Sequence, residues 1–326
     1  MTEPVRWGIL STALINTKVL RGAALSSDMS VLAVGSRDGD RSRQFASQWG
    51  IGRAYGSYDE VLADPDVEAV YIPLPNSMHH DWTMRSLEAG KHVLCEKPYT
   101  RHAAEVSVAF DKAAQGGLVL SEAFMFRYHP HIQALVQLVR SGQLGRLRLI
   151  SGAFSGYTDN PGDVRLDLAL DGGSLMDVGV YPLSASRLLA GEPTAVTAQQ
   201  VTGVTGVDVS FAATLRFDDD VLAHFDCGFH VADRSYLEAV GTEGRVEVSD
   251  PWHGTQPALT VTMRGADPVR TAIEPANPYQ LELEEFGTAV RGEPNQLLGR
   301  ADAVGQANAV EALYRAAASG ITVTIG

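Results

Sequence analysis

Val5-Arg6-Trp7-Gly8-Ile9-Leu10-Ser11-Thr12-Ala13 decides the fold. A mostly apolar run, Val5 to Leu10, empties into small residues, and from Lys18 to Leu25 apolar positions recur at helical spacing until Ser26, Ser27 and Asp28. That is strand, turn, helix. Small residues at such a turn let backbone N–H groups approach a diphosphate, and Ser11 and Thr12 add hydroxyl donors at a helix N-terminus. Gly8 matches the first glycine of the dinucleotide fingerprint and the second is missing, so a turn capped by Ser or Thr reads equally well here.

Outward from this turn the alternation continues. Strands are predicted at Val31 to Gly35, Ala69 to Ile72, Lys91 to Cys95 and Leu118 to Ser121, with helices at Arg41 to Trp49, His80 to Ala89 and Ala103 to Ala114. Short apolar strands alternating with helices imply an α/β unit, a doubly wound parallel sheet covered on both faces, over residues 1–122. Beyond Ala123 the pattern changes. A helix at Pro130 to Ser141 leads into a polar-apolar alternation at Leu147 to Tyr157. Further strands follow at Ala195 to Val201, Val207 to Phe217, Val221 to Phe229, Arg234 to Val240, Arg245 to Ser249 and Ala258 to Met263. Asp218-Asp219-Asp220 reads as a hairpin turn. Helices at Tyr279 to Arg291 and Ala301 to Ser319 close the chain, the second ended by Gly320. Residues 123–326 are therefore read as an α+β domain with a mostly antiparallel sheet. Its last helix is a candidate to pack back on the first domain.

Composition narrows the function. With 326 residues, 45% hydrophobic and 20% charged, the chain is of ordinary globular type and long enough for two domains. Lys and Arg number 26 against 39 Asp and Glu, a net charge of −13, the wrong sign for nucleic acid or an anionic membrane surface. Cys95 and Cys227 are the two cysteines, too few for a disulfide framework or a cysteine zinc cluster, and a reducing cytoplasm is expected. Neither a signal peptide nor a spanning apolar run is read, and Val5 begins the first strand so early that no N-terminal arm is expected to clamp a cofactor.

Four places carry chemistry. After the second strand comes Ser36-Arg37-Asp38, where a dinucleotide fold reads the adenosine ribose. An acid there suits a free 2′-hydroxyl, and an arginine suits a 2′-phosphate. Arg37 stands nearer the strand end, which leans toward NADP, with a surface Arg beside a turn Asp as the alternative. Glu96-Lys97-Pro98 ends another strand, and lysine before proline is aimed from a non-helical backbone. Pro73-Leu74-Pro75-Asn76 lies at the same sheet edge. A helix starting near Ser174 would put Asp177 and Tyr181 four apart on one face, although packing Tyr and dipole-partner Asp are commoner uses of such positions. His79-His80-Asp81 and His129-x-His131 lack helical metal-ligand spacing, so no metal is expected. No nucleophile elbow or P-loop occurs.

Together these residues, with His79 and the run Glu122-Ala123-Phe124-Met125-Phe126-Arg127-Tyr128-His129-Pro130, resemble the Gfo/Idh/MocA oxidoreductases. The branch of dimeric dihydrodiol dehydrogenase, NADP-dependent D-xylose dehydrogenase and glucose-fructose oxidoreductase is the most similar. The resemblance implies an NAD(P)-binding Rossmann domain followed by an open-faced sheet domain for substrate binding and oligomerisation, as a homodimer or homotetramer. It implies a cis bond before Pro98. It also implies cofactor contacts at Gly8, Ser11, Thr12, Ala13, Leu14, Ile15, Ser36, Arg37, Leu74, Pro75, Asn76, His79, Glu96, Lys97 and Pro98. Lys97, Tyr181 and Asp177 would be catalytic, and Lys97, Phe124, Arg127, His129, Tyr157, Asp177 and Tyr181 would meet substrate. Asp171 stands where the family often has a third glycine, and Tyr99 where leucine is usual.

The expected function is hydride transfer between NADP, or NAD, and a secondary carbinol or lactol carbon of a sugar or polyol. The pocket would be shaped by loops near Tyr157 to Leu170 and His230 to Ser235. A 3-ketoreductase of a nucleotide-linked sugar is the enzymatic rival. A dinucleotide-sensing regulator is the non-enzymatic one, and Lys97 and Tyr181 argue against it.

Overall fold

The computed structural model describes residues 3–160 and 162–325. They form two compact units, Met1–Met125 with Asn277–Val304, and Phe126–Ala276 with Gly305–Gly326. The expected division at 122/123 thus falls a few residues later, and a segment from near the C-terminus belongs with the N-terminal unit.

The first unit runs β1 (Val5–Leu10), α1 (Asn16–Ala23), β2 (Met29–Gly35), α2 (Gly39–Trp49), β3 (Arg53–Tyr55), α3 (Tyr58–Ala63), β4 (Ala69–Ile72), α4 (His79–Glu88), β5 (His92–Glu96), α5 (Ala103–Gly116) and β6 (Leu120–Ala123). All strands are parallel in the order β3-β2-β1-β4-β5-β6. Every residue of β4 and β6 is buried, which is why β4 reads as an apolar run without alternation, while β6 buries Ser121 and Glu122 between its apolar ends.

Sequence reading missed β3 and α3, although a capping box marks the helix start. Ser57 Oγ accepts the Glu60 N–H at 3.2 Å while Glu60 Oε2 accepts the Ser57 N–H at 3.0 Å. This short helix explains two glycines. A Cβ on Gly8 would stand 2.6 Å from Val61 Cγ1, and one on Gly35 would stand 2.7 Å from Val61 Cγ2. Gly8 therefore leaves room for close packing of α3 on the sheet.

The segment that returns to this unit holds α8 (Pro278–Val290), the penultimate helix rather than the last. Phe286 and Leu283 are buried, and the Phe286 ring centroid lies 4.9 Å from that of Trp7 on β1. Gly22 of α1 meets Tyr279 and Gln280 so closely that a Cβ would approach the Gln280 backbone N to 2.7 Å.

The second unit runs α6 (Pro130–Arg140), β7 (Leu147–Tyr157), α7 (Val180–Ala190), β8 (Ala195–Thr202), β9 (Asp208–Arg216), β10 (Leu222–Gly228), β11 (His230–Gly241), β12 (Gly244–Ser249), β13 (Ala258–Met263), β14 (Val269–Ala272), most of α9 (Arg300–Ser319) and β15 (Val323–Thr324). Its nine-stranded sheet has the order β14-β13-β12-β11-β7-β10-β9-β8-β15, antiparallel except for β10 beside β7. The edge strands β14 and β15 went unread because they are short and largely exposed. One face is covered: along β9, Phe211, Ala213 and Leu215 are buried while Ala212, Thr214 and Arg216 are exposed. The triple-Asp turn joins β9 to β10 with Asp219 and Asp220 at φ +56° and +58°, the left-handed conformations that a tight hairpin needs and Asp tolerates. Gly320 ends α9 at φ +71°.

Candidate active site

In the first unit, β1 delivers the turn Ser11 to Ile15. Ser11 Oγ–H donates to the Pro73 carbonyl at 3.1 Å and Ser11 Oγ accepts the Ala13 N–H at 3.1 Å, tying the turn to the end of β4. Asn16 Nδ2 donates to the Ser11 carbonyl at 2.8 Å. No side chain caps α1, and among the described residues the N–H groups of Thr12, Leu14 and Ile15 meet no acceptor. Backbone donors gathered at a helix start form an anion site, so this turn fits a dinucleotide diphosphate without the second glycine.

At the end of β2, chain neighbours diverge. Asp38 Oδ1 accepts the N–H groups of Asp40 at 2.9 Å and Arg41 at 3.2 Å, capping α2, whereas Arg37 is exposed. Burial raises the Tyr58 phenol pKa, and the nearby charges of Arg37 and Arg41 oppose that rise. With Asp38 committed to the helix and Arg37 presenting its guanidinium, the strand end fits a ribose 2′-phosphate better than a free hydroxyl.

Lys97 follows β5 on a backbone held by the half-buried Glu96 and the buried His79 and Glu122. The Lys97–Pro98 bond is cis. Glu96 Oε2 accepts the Lys97 N–H at 3.2 Å, and Glu96 Oε1 accepts the Tyr71 hydroxyl at 2.5 Å. Glu122 on β6 accepts the Tyr99 N–H at 2.9 Å, and the Tyr99 hydroxyl meets His80 Nδ1 at 3.0 Å. His79 Nδ1 lies 2.8 Å from the Pro98 carbonyl and its Nε2 lies 2.8 Å from the Leu74 carbonyl. Both ring nitrogens are thus engaged by backbone, and His79 positions Leu74 and Pro98 rather than reaching toward a ligand. Burial lowers its pKa to about 4, so the ring is neutral at pH 7 and its single N–H donates to one of these two carbonyls, the other being a close contact. Tyr99, the departure from the family pattern, is buried and joined to this network.

Beside Glu96 sits Glu282 of α8. Burial first, and the Glu96 charge second, push its carboxyl well above the usual range, and its Oε1 has no hydrogen-bond partner.

In the second unit the residues from Leu175 to Gly179 form a π turn that runs into α7. Such turns recur at functional sites because they re-aim side chains within a helix. Asp177 lies on it, with Arg165 Nη1 at 3.6 Å from its Oδ2. Arg165 is also bidentate on Asp163, at 2.9 and 2.6 Å, and this bonding raises the guanidinium pKa and lowers that of the Asp163 carboxyl. Tyr181 begins α7 among rings: Phe154 at 5.2 Å edge-on, Phe126 at 5.4 Å and Trp252 at 5.9 Å. Trp252 is itself fixed, its Nε1–H donating to the Ala153 carbonyl at 2.9 Å. Arg127 Nη1 donates to Ser184 Oγ at 2.8 Å on the same helix as Tyr181.

Other candidates fall elsewhere. His129 is buried, its Nδ1 accepting the His131 N–H and contacting His131 Nδ1, with Gly254 packed on the ring. That is a structural role at the start of α6. Phe124 is fully buried, whereas Tyr157 is 68% exposed and pairs with His230. Arg165, Phe154, Trp252 and Glu122 were missed: the last three act through partners distant in sequence, and Arg165, bonded to Asp163 two residues away, sits in a segment without periodic pattern. Among the described residues no cluster of three or more His, Cys, Asp or Glu could hold a metal ion.

An uncapped helix start at the central parallel strand, with an exposed arginine ending the next strand, is the apparatus of a nicotinamide-dinucleotide oxidoreductase. Comparison with known proteins gives the particular family. Residues 5–124 match the oxidoreductase family, NAD-binding Rossmann fold, and residues 132–247 match the GFO/IDH/MocA C-terminal domain. The chain belongs to the Gfo/Idh/MocA family and is an NAD(P)-dependent oxidoreductase. It is 36% identical over 324 residues to D-xylose 1-dehydrogenase (NADP(+)) 2 of Haloferax volcanii, covering 98% of this chain and 99% of that one. Its fold is similar to an aldose-aldose oxidoreductase from Caulobacter crescentus at a TM-score of 0.90 and 29% identity, covering 98% of this chain and 99% of that one. A 3-ketoreductase from Actinomadura kijaniata, solved with NADP and TDP-benzene, also gives a TM-score of 0.90 at 29% identity, covering 96% and 98%.

Proposed function

We propose that this chain moves hydride between NADP, preferred over NAD, and a secondary carbinol or lactol carbon of a neutral sugar or polyol, in the manner of an aldose 1-dehydrogenase or a dihydrodiol dehydrogenase. The observation that carries this is Lys97, held through Glu96, His79 and Glu122 at the C-terminal edge of the parallel sheet, where Ser11 and Arg37 also end their strands. A nicotinamide dinucleotide held at the Ser11 to Ile15 turn would supply the hydride acceptor in oxidation and the hydride donor in reduction. Oxidation must also remove a proton from the substrate hydroxyl, so a base has to reach that oxygen. In this reading Lys97 Nζ hydrogen-bonds the reacting oxygen. Tyr181 Oη takes the proton in oxidation and returns it in reduction. Asp177 receives a second substrate hydroxyl or tunes the pair.

A neutral substrate is favoured by charge. Between Tyr157 and Tyr181 stand Asp159, Asp163, Asp167, Asp171 and Asp177 against Arg165, and that arginine is already bidentate on Asp163. A sugar diphosphate needs free cationic donors. The second reading, a 3-ketoreductase of a nucleotide-linked sugar, rests on the likeness to the Actinomadura enzyme.

Turnover of D-xylose and other aldoses with NADP+ is the test, alongside binding of a deoxythymidine diphosphate sugar. Aldose turnover lost in Lys97→Met, with NADPH still bound, supports the mechanism. Full turnover by that variant would falsify it, and tight diphosphate-sugar binding without aldose turnover selects the second reading.

The same proposal places the protein in the cytoplasm as a homodimer or homotetramer through the nine-stranded sheet. Both cysteines are buried and unpaired, and no helix among the described residues is long and apolar enough to cross a membrane. The uncovered sheet face carries Val201, Leu222 and Tyr236, 61%, 45% and 37% exposed. A monomer mass by light scattering would rule out the assembly.

A further inference from the structure

Asp208 opens β9 and is 3% exposed. Its Oδ2 accepts the Ser174 hydroxyl at 2.7 Å and the Leu175 N–H at 2.7 Å, and its Oδ1 accepts the Tyr314 hydroxyl from α9 at 2.9 Å. Leu175 is the first residue of the π turn that carries Asp177 and leads into Tyr181. Asp208 is thus a helix cap supplied from a neighbouring strand, where sequence-local caps come from the residue just before the helix.

The turn is fixed around that carboxylate. Gly173, at φ +127°, leaves room for it, since a Cβ there would stand 2.3 Å from Asp208 Oδ1. The Gly173 N–H donates to the Arg165 carbonyl at 2.9 Å, and the Asp177 N–H donates to the Gly173 carbonyl at 3.0 Å. At the far end Gly179 sits so close to β10 that a Cβ would stand 2.7 Å from Cys227 Sγ. Among the described residues Asp208 has no lysine or arginine partner, so burial pushes its carboxyl pKa up and the donors from Leu175, Ser174 and Tyr314 are what favour the ionised form. An ion held without a counter-ion costs stability that a neutral cap would spare. Its compensating property is geometric, since one carboxylate accepts from three directions at once.

We propose that Asp208 is a positioning residue for Asp177 and Tyr181. It holds the π turn so that the Asp177 carboxylate and the Tyr181 hydroxyl keep the orientation the chemistry requires. This rests on the reading that those two side chains serve the substrate.

The variants are Asp208→Ala and Asp208→Asn, with Ser174→Ala as a milder change that removes one donor. Each is tested at a temperature below its melting midpoint for kcat, KM, the pH profile of kcat, and NADPH binding. Misplacing a reacting group by about 1 Å can cost about 100-fold, so Asp208→Ala is expected to lower kcat about 10- to 100-fold. The alkaline limb of its pH profile should move, and its NADPH affinity should not. Asp208→Asn should recover most of the loss, because the amide oxygen still accepts from Ser174 and Leu175 while the amide N–H can donate to the Tyr314 oxygen. A lowered melting midpoint with wild-type kcat, KM and pH profile overturns the proposal, as does an asparagine variant no better than alanine. If Asp208→Ala does not fold, a wild-type kcat and pH profile in Ser174→Ala overturns it, and an intermediate loss supports it. Full turnover by Tyr181→Phe and Asp177→Asn defeats the underlying mechanism instead, so the two failures can be told apart.

Discussion

Glu122 accepts the backbone N–H of Tyr99 at 2.9 Å, one residue beyond the Lys97–Pro98 bond, and both residues are buried. The contact fixes the exit of the loop as Glu96 fixes its entry. Removing the carboxylate leaves a buried N–H without an acceptor, at a cost of about 1–3 kcal/mol. Glu122→Ala should therefore lower the denaturant midpoint and reduce kcat more than it changes KM. Urea unfolding monitored by circular dichroism and steady-state rates check the two parts.

Arg37 and Asp38 predict cofactor choice. An arginine fork on a 2′-phosphate is worth about 1.5–3 kcal/mol, so Arg37→Ala should weaken NADPH binding by roughly 10- to 100-fold and leave NADH nearly unchanged. Fluorescence titration of both cofactors measures this. Equal weakening of the two would show that Arg37 does not read the phosphate.

Gly8 predicts a packing effect. Gly8→Ala places a Cβ 2.6 Å from Val61 Cγ1, and overpacking of this kind costs about 1–3 kcal/mol. The double variant with Val61→Ala should be more stable than the sum of the two single changes implies, by more than about 0.5 kcal/mol. Additive losses would place the strain elsewhere.

Glu282 predicts a pH dependence. Its carboxyl is raised by burial and by Glu96, so the folded protein keeps a proton that the unfolded chain releases once the pH exceeds about 4.3. Stability tied to this group is complete below that pH and is lost as the pH rises toward the elevated folded value. Glu282→Gln removes the titration. It should raise the melting midpoint at pH 8, by about 2–4 °C for each kcal/mol recovered, and leave it near wild type at pH 4. An equal shift at both values would mean that the carboxyl carries no such proton.

Much of the fold was legible because strand and helix periods are local. The apolar runs at Val5 to Leu10 and Ala69 to Ile72 matched their strands residue for residue, as did the alternation at Leu147 to Tyr157. α3 was lost because six residues give too little periodicity, although its capping box was in plain view. β14 was lost because all four of its residues are exposed and carry no apolar pattern.

What the sequence determined by itself was the succession of elements, the turn at Ser11 to Ile15, and the positions of Arg37, Lys97, Asp177 and Tyr181 in the motifs. These depend on neighbours a few residues apart, where periodicity, capping and turn chemistry operate. Tertiary structure decided what each residue is used for. It assigned Gly8 to packing against Val61, Asp38 to capping α2, and both nitrogens of His79 to backbone carbonyls. It also brought Asp208 to Leu175 and Glu122 to Tyr99. Those pairings join distant strands, helices and loops, and a hydrogen bond between them leaves no periodic trace in the chain.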